Sequence, residues 1–314
     1  MENYRPISLL CLAMKIFEKC VRTELMSYAT DLLDARQHGF RNRKSCTTQL
    51  VHFADSLAIT LNKSERSDVI YFDFAKAFDT VNHDLILHKL KHSFHIDGVL
   101  LKFVTSYLKD RTQKVVVGGS CSSIVSVQSG VPQGSILGPL LFIMFINDMI
   151  TSVSTGTDIA LYADDTKIWR TINCWEDHIL LQKDITALYE WSVKNKMTFH
   201  PSKCVVLPVT LKNVQYILPF DRFAYHLNNE ILDYKDSQKD LGINVTTRLL
   251  WTSHCKSITT KASSRLGLLR RTLHFTKCKK QKRILYFCDI ASLYSWGPSW
   301  IDTSPKESCQ VDIV

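Results

Sequence analysis

Asp164 and Asp165 stand side by side in LYADDTKIW, residues 161–169, within an otherwise apolar and aromatic run. Two like charges placed there cost free energy through mutual repulsion and desolvation. Ile159, Leu161 and Tyr162 before the pair, with Ile168 and Trp169 after it, predict a hairpin whose tight turn is Ala163-Asp164-Asp165. Aspartate is also an ordinary turn residue, so the pair alone carries no chemistry. A third carboxylate supplies a reason: Asp73, far upstream, ends the apolar run in YFDFAKAFD. Two strands of one antiparallel sheet would bring Asp73 within a few Å of Asp164, and three carboxylates that close do not all ionise without divalent cations. Hard oxygen ligands select Mg²⁺, which keeps waters and takes further ligands from substrate phosphates. Two such ions clamp the attacking and leaving oxygens of an in-line phosphoryl transfer.

The elements that must position these groups follow from periodicity and turn chemistry. Residues 11–29 read as a helix with Leu12, Ile16, Val21, Leu25 and Tyr28 on its apolar stripe, and residues 47–62 as a second with Leu50, Phe53, Leu57 and Leu61. Between them lies a polar loop, HGFRNRKSC, carrying His38, Arg41, Arg43 and Lys44. DVIYFDF, residues 68–74, reads as a short strand, after which Asp79 is placed to cap a helix over 80–95. His88, His92 and His95 on that helix lack a carboxylate or cysteine at matching spacing and read as a solvated face, not a metal site. RTQKVVV, GGSCSS and SIVSVQ predict a hairpin over about 111–128. In GVPQGSILGPLLFIMFINDM a Gly- and Pro-rich turn feeds an apolar helix that must be buried nearly all round. Gly134 permits close approach of a base or nucleotide to the backbone, Ser135 can cap the helix, and Gln133 offers both donor and acceptor. Residues 177–196 read as helix and 201–209 as strand.

The 314 residues, 45% of them hydrophobic, suffice for a sizeable core and two or three subdomains. The ten cysteines contain no Cys-x-x-Cys pair, which argues against a zinc ribbon or knuckle and for reduced, intracellular thiols. The longest apolar run, residues 139–146, is too short to span a bilayer, and the N-terminus has no signal pattern. A soluble protein of nucleus or cytoplasm is expected, without a membrane partner. The formal charge of +9 is unevenly spread. Between Asp240 and Asp289 there is no acidic residue, yet eleven basic ones, among them Lys261, Arg265, Arg270 and Arg271; the remainder carries 28 basic and 30 acidic residues. A basic region appended to a near-neutral body suits a polyanion grip.

Seven motifs then resemble, in order, those of the reverse transcriptase domain of non-LTR (LINE-like, jockey-type) retrotransposons. ENYRPISLL and HGFRNRKSCTTQL resemble two fingers motifs; YFDFAKAFDTVNH, SGVPQGSILGPLLFIMFIND and YADD resemble three palm motifs; NKMTFHPSKCVVL resembles the later palm motif with its lysine, and KDLGINV the primer grip. The resemblance implies that Asp73, Asp164 and Asp165 hold Mg²⁺, or Mn²⁺ in its place. It also implies that Phe78 lies under the sugar of the incoming nucleotide, with Phe74, Gln133, Gly134 and Arg41 contributing to that site. Lys203 stands where the family places a general acid for the departing pyrophosphate, Lys44 beside nucleic-acid phosphates and Gly242 in the primer grip, with Lys261, Arg265, Arg270 and Arg271 in a basic thumb. Cys46 and Cys204 stand where the family usually has threonine, and His200 where it usually has asparagine.

The expected fold is therefore α+β, a right-hand polymerase with an antiparallel palm sheet backed by helices. Partial fingers are expected over 1–67, palm over 68–240 and primer grip, basic thumb and a divergent tail over 241–314. The expected function is RNA-directed DNA synthesis, extending a DNA primer on an RNA template with deoxynucleoside triphosphates. Because the chain starts at the first fingers motif and departs from the thumb pattern beyond Arg283, it also reads as a truncated copy. The alternative function is thus a catalytically inactive nucleic-acid-binding remnant. A two-metal nuclease would use the same carboxylates but leaves the PQG turn unexplained.

Overall fold

The structure, a computed structural model, describes residues 8, 10–117, 120–211, 223–273 and 278–286. The tail beyond 286, most of the first fingers motif and the hairpin tip at 118–119 lie outside the described residues. The chain forms two compact units, Met1–Lys235 and Asp236–Val314.

In the first unit, helices α1 (Leu12–Ala29) and α2 (Cys46–Asn62) precede strand β1 (Arg66–Phe72). Then come α3 (Ala77–Thr80), α4 (His83–His92) and α5 (Gly98–Leu108). Four two-residue strands follow, β2 (Thr112–Gln113), β3 (Val116–Val117), β4 (Ser120–Cys121) and β5 (Val125–Ser126), before α6 (Gly138–Phe145). The unit ends with β6 (Thr157–Tyr162), β7 (Asp165–Ile172), α7 (Trp175–Lys194), β8 (Val205–Val209), β9 (His226–Leu227), β10 (Glu230–Ile231) and β11 (Asp233–Tyr234). No helix among the described residues is long and apolar enough to cross a membrane.

Five strands make the main sheet, in the order β11-β8-β1-β7-β6. The sheet is mixed, not purely antiparallel as expected: β11 joins the β8 edge in parallel, while β8, β1, β7 and β6 pair antiparallel. β1 is buried along almost its whole length, as its run of Val, Ile, Tyr and Phe requires of a central strand. Alternation sends Tyr71 to one face, where Phe53 of α2 lies edge-on to it and to Trp169. It sends Ile70 and Phe72 to the other face, into one core with α4, α5, α6 and α7. Helices thus cover the sheet on both sides.

Several local expectations change. Leu12, Ile16 and Tyr28 of α1 point outward; Leu25 of the expected stripe is buried, together with Glu18, Met26 and Ala29. The helix expected over 80–95 is split: α3 ends at Thr80, and the Asn82 side chain, not Asp79, caps α4 by accepting from Leu85 N at 3.0 Å. The 111–128 hairpin pairs in two short ladders, β2 with β5 and β3 with β4, so Ser120 and Cys121 of the expected GGSCSS turn lie in a strand instead. Residues 201–203 form a single 3₁₀ turn ahead of β8.

Helix α6 is buried along nearly its whole surface, and so are the groups that satisfy its ends. At its N-terminus the fully buried Glu18 carboxylate accepts from Ile136 N (2.7 Å), Leu137 N (3.3 Å) and the Tyr107 hydroxyl (2.9 Å). At its C-terminus the buried Lys89 ammonium donates to Phe145 O (2.8 Å) and Asp148 Oδ1 (2.7 Å). Anion at the start and cation at the end match the helix dipole. On β1, buried Asp68 pairs with Arg66 (2.7 Å) and accepts from the Tyr225 hydroxyl (2.9 Å), which also bonds His178 Nδ1 (2.7 Å). That network ties the segment leading into β9 to the sheet.

Candidate active site

The β6–β7 register pairs Tyr162 with Asp165, so only Ala163 and Asp164 form the loop and Asp165 opens β7. Such a two-residue turn needs a positive φ, and Ala163 takes it at φ 54°. Across the sheet, the last β1–β7 pair is Phe72 with Thr166. Asp73 and Asp165 are the next residues along these neighbouring strands, so all three aspartates gather at one end of the sheet.

Asp73 is held from the side of β8. Its carbonyl accepts from His200 N (2.8 Å), its amide N–H points to Cys204 Sγ (3.5 Å), and Ala75 N donates to Thr198 O (2.8 Å). Cys204 is buried, and burial pushes its thiol up to about 11, so it packs behind Asp73 as a neutral group. The turn after His200 delivers Lys203, whose Nζ lies 3.3 Å from Asp73 Oδ2. That oxygen is buried and accepts no hydrogen bond.

A carboxylate oxygen buried without a hydrogen bond, with a cation beside it, fits a metal ligand. Among the described residues no three His, Cys, Asp or Glu side chains gather tightly enough to hold an ion by themselves. That does not disqualify the site for Mg²⁺, which is held by one or two carboxylates together with waters and substrate phosphates.

Around this end lie the groups expected to meet a nucleotide. Phe78, half-buried, stacks on Phe142 of α6 (ring centroids 4.3 Å apart, 18° between planes) and meets Phe40 edge-on at 6.2 Å. Gln133 donates through Nε2 to Asp79 Oδ1 (2.8 Å), and Gly134 takes φ 92°, open to glycine and strained for other residues. Ser135 Oγ accepts from Gly138 N (2.9 Å), capping the turn that opens α6. The Phe74 side chain is buried and stacked on Phe199 (ring centroids 4.3 Å apart).

The basic loop is engaged with the backbone. Arg41 donates to the carbonyls of Asp34 (2.5 Å), Thr30 (3.0 Å) and Gln37 (3.4 Å), and Lys44 to that of Ala35 (2.9 Å). In this arrangement both side chains organise the turn after α1. Glu18 and Asp79 brace the two sides of the PQG turn; sequence reasoning passed over Glu18, for which a lone acid in an apolar helical stripe was the available signal, and read Asp79 only as a helix cap.

In the second unit, β12 (Ser237–Asp240) and β13 (Ile243–Thr246) form a hairpin turning at Leu241 and Gly242, both at positive φ (45° and 94°). Helix α8 (Thr252–Thr272) buries only His254 and Ala262 and exposes Lys261, Arg265, Arg270 and Arg271; α9 (Lys279–Tyr286) follows.

A mixed sheet of this order, covered by helices on both faces and ending in clustered aspartates, belongs to the right-hand class of polymerases. The fold is shared with apo telomerase from Candida Tropicalis truncated from its C-terminal domain (TM-score 0.53, 13% identity, 78% of this chain and 48% of that one). Apo telomerase from the same organism also matches (TM-score 0.52, 11% identity, 75% and 40%). The chain belongs to the family described as reverse transcriptase (RNA-dependent DNA polymerase), which it matches over residues 1–245. Among its relatives are the probable RNA-directed DNA polymerase from transposon BS of Drosophila melanogaster, 31% identical over 94% of this chain and 33% of that protein, and that from mobile element jockey of the same fly, 31% identical over 82% and 28%. The chain spans about a third of the length of the curated relatives it matches. The family works with divalent metal ions and an RNA template.

Proposed function

We propose that this chain is the polymerising part of a non-LTR reverse transcriptase, adding deoxynucleotides to a DNA primer on an RNA template. The observation that carries the reading is Asp73 and the Asp164-Asp165 turn at one end of neighbouring strands, with a buried Asp73 oxygen that accepts no hydrogen bond. Asp73 and Asp164, with Asp165, hold Mg²⁺ or Mn²⁺, and such ions supply the charge that steadies the attacking and leaving oxygens. Lys203, beside Asp73, protonates the departing pyrophosphate and offsets its charge. The Phe78 ring, backed by Phe142, packs under the deoxyribose and excludes a 2′-hydroxyl, while Gln133 and Gly134 shape the neighbouring wall. Arg41 meets the triphosphate and Lys44 template phosphates once their present carbonyl contacts are exchanged for anions. The fingers extend to residue 67, the palm from 68 to 240, and the Gly242 hairpin and the basic side chains of α8 grip primer and hybrid beyond it.

The test is extension of a DNA primer annealed to poly-RNA, with Mg²⁺ and deoxynucleoside triphosphates. The reading expects elongated DNA and its loss on chelating the metal. Binding of the hybrid without elongation would instead identify a nucleic-acid-binding remnant.

A further inference from the structure

The turn carrying Asp164 is strained and narrow, and it does not stand alone. Residues 36–38 run beside β6 as an extra parallel edge: Leu161 N donates to Arg36 O (3.1 Å), His38 N to Leu161 O (2.8 Å), and Gln37 bridges to Leu161. At the end of this edge the fully buried Gln37 turns its Oε1 into the turn. That oxygen accepts from Ala163 N (3.1 Å) and from Gly39 N (2.7 Å). The residue it grips is the one at φ 54°, a conformation unfavourable to an alanine that persists only where its surroundings enforce it. Gly39 presses on the same place, since a Cβ there would come within 2.4 Å of Ala163 N and 3.1 Å of its Cα. Gln37 Nε2, meanwhile, is buried with no hydrogen-bond partner. An unsatisfied buried amide is destabilising, and an apolar side chain of the same size would avoid that cost. Its retention is explained if the acceptor oxygen is needed where it is.

We infer that Gln37, with Gly39, is a positioning residue for the metal site: it clamps Ala163 in the left-handed conformation and so fixes where Asp164 presents its carboxylate. The inference rests on the functional reading above, in which Asp164 is a metal ligand. The clamp also makes the metal turn continuous with the loop that carries Arg41, four residues further on. A movement of that loop toward a triphosphate would therefore be felt at Asp164.

The experiment compares the whole chain with Gln37→Met, which keeps the volume and removes the acceptor. Mn²⁺ uptake by the hybrid-bound protein is titrated by electron paramagnetic resonance, alongside the Mg²⁺ concentration giving half-maximal primer extension. Both constants are expected to rise about fivefold or more while metal-free affinity for the hybrid changes little; the melting temperature falls as well, because two buried donors, Ala163 N and Gly39 N, lose their acceptor and only one unsatisfied amide is removed. A merely structural residue would move the melting temperature and leave the metal constants alone, and that result would overturn the inference. Should Gln37→Met not fold, Gly39→Ala pushes the same turn and is expected to raise the same constants; unchanged constants there, or loss of folding in both variants, would equally overturn it. Asp164→Asn separates the two levels of the argument. If it leaves Mn²⁺ uptake unchanged, the functional reading falls and this inference with it; if uptake depends on Asp164 but not on Gln37, this inference alone fails.

Discussion

Replacing Glu18 by leucine should be among the most damaging single changes to the first unit, although Glu18 touches none of the proposed reacting groups. The substitution strands three donors around the start of α6: the Tyr107 hydroxyl, Ile136 N and Leu137 N. Each unsatisfied buried donor costs about 1–3 kcal/mol, and the N-terminus of α6 loses an anion worth up to ~2 kcal/mol in a buried setting. Against this, a buried carboxylate carries a desolvation penalty of several kcal/mol, which leucine removes. The net loss should be about 2–4 kcal/mol, or a melting temperature lower by roughly 5–15 °C for a unit of this size. Glu18→Gln, which keeps one acceptor and loses the charge, should cost about 1–2 kcal/mol. Urea unfolding followed by tryptophan fluorescence reads these differences. Adding Tyr107→Phe to Glu18→Leu removes one stranded donor and should recover about 1 kcal/mol. A Glu18→Leu protein within about 0.5 kcal/mol of wild type, the range of ordinary surface changes, would refute the view that this carboxylate holds the PQG turn and α6 together.

Phe78→Val should admit ribonucleotides while DNA synthesis largely survives. An apolar pocket alone rejects an added hydroxyl by only ~10², so incorporation ratios measured with both nucleotide types should shift by at least about tenfold if the ring is a steric gate; an unchanged ratio with activity retained would return Phe78 to the core. Neutralising Arg265, Arg270 and Arg271 together should lower the slope of log affinity for an RNA–DNA hybrid against log salt by about 2–3, without altering sequence preference, because phosphate contacts carry none. An unchanged slope would make them a solvated face. Burial, aided by Lys44, His52, Arg41 and Lys167, lowers the His38 pKa to about 4. Above the unfolded value near 6.5 the residue is neutral in both states; below it only the unfolded chain takes the proton, so stability should fall as pH drops from 6.5 toward 4, by up to ~1.4 kcal/mol per unit. His38→Asn should flatten that part of the stability–pH curve, and an identical curve would show that His38 is not kept neutral.

What was legible in the sequence was what local pattern determines. The YADD hairpin announced itself by strand formers on both sides of a turn, β1 by an unbroken apolar run, and α6 by an apolar helix too uniform to have a solvent face. The aspartates came with these elements, since each sits at the end of one. Less legible was whatever depends on partners far along the chain. Glu18 is buried because Tyr107 and Ile136 meet it from about a hundred residues away, so its helix turns Leu12 and Ile16 outward against the simple apolar stripe. Asn82 took the capping role expected of Asp79, because Asp79 lies inside α3 and receives Gln133 instead. The parallel edge strand β11 is two residues long, below what periodicity can resolve. Arg41 and Lys44 were expected at phosphates from the resemblance of their loop, and only the folded turn reveals the carbonyls they meet.

The claim on which the account most depends is that Asp73 and Asp164 act on one catalytic centre. Single-turnover addition of one deoxynucleotide to a primer on an RNA template tests it directly, with wild type, Asp73→Asn, Asp164→Asn and the double variant. Groups that act as a unit are strongly non-additive. Each single change should lower the rate by about 10³-fold or more, and the double variant should be little worse than either. Near-wild-type rates in either single variant, or a double variant slower by the product of two modest losses, would contradict the shared centre.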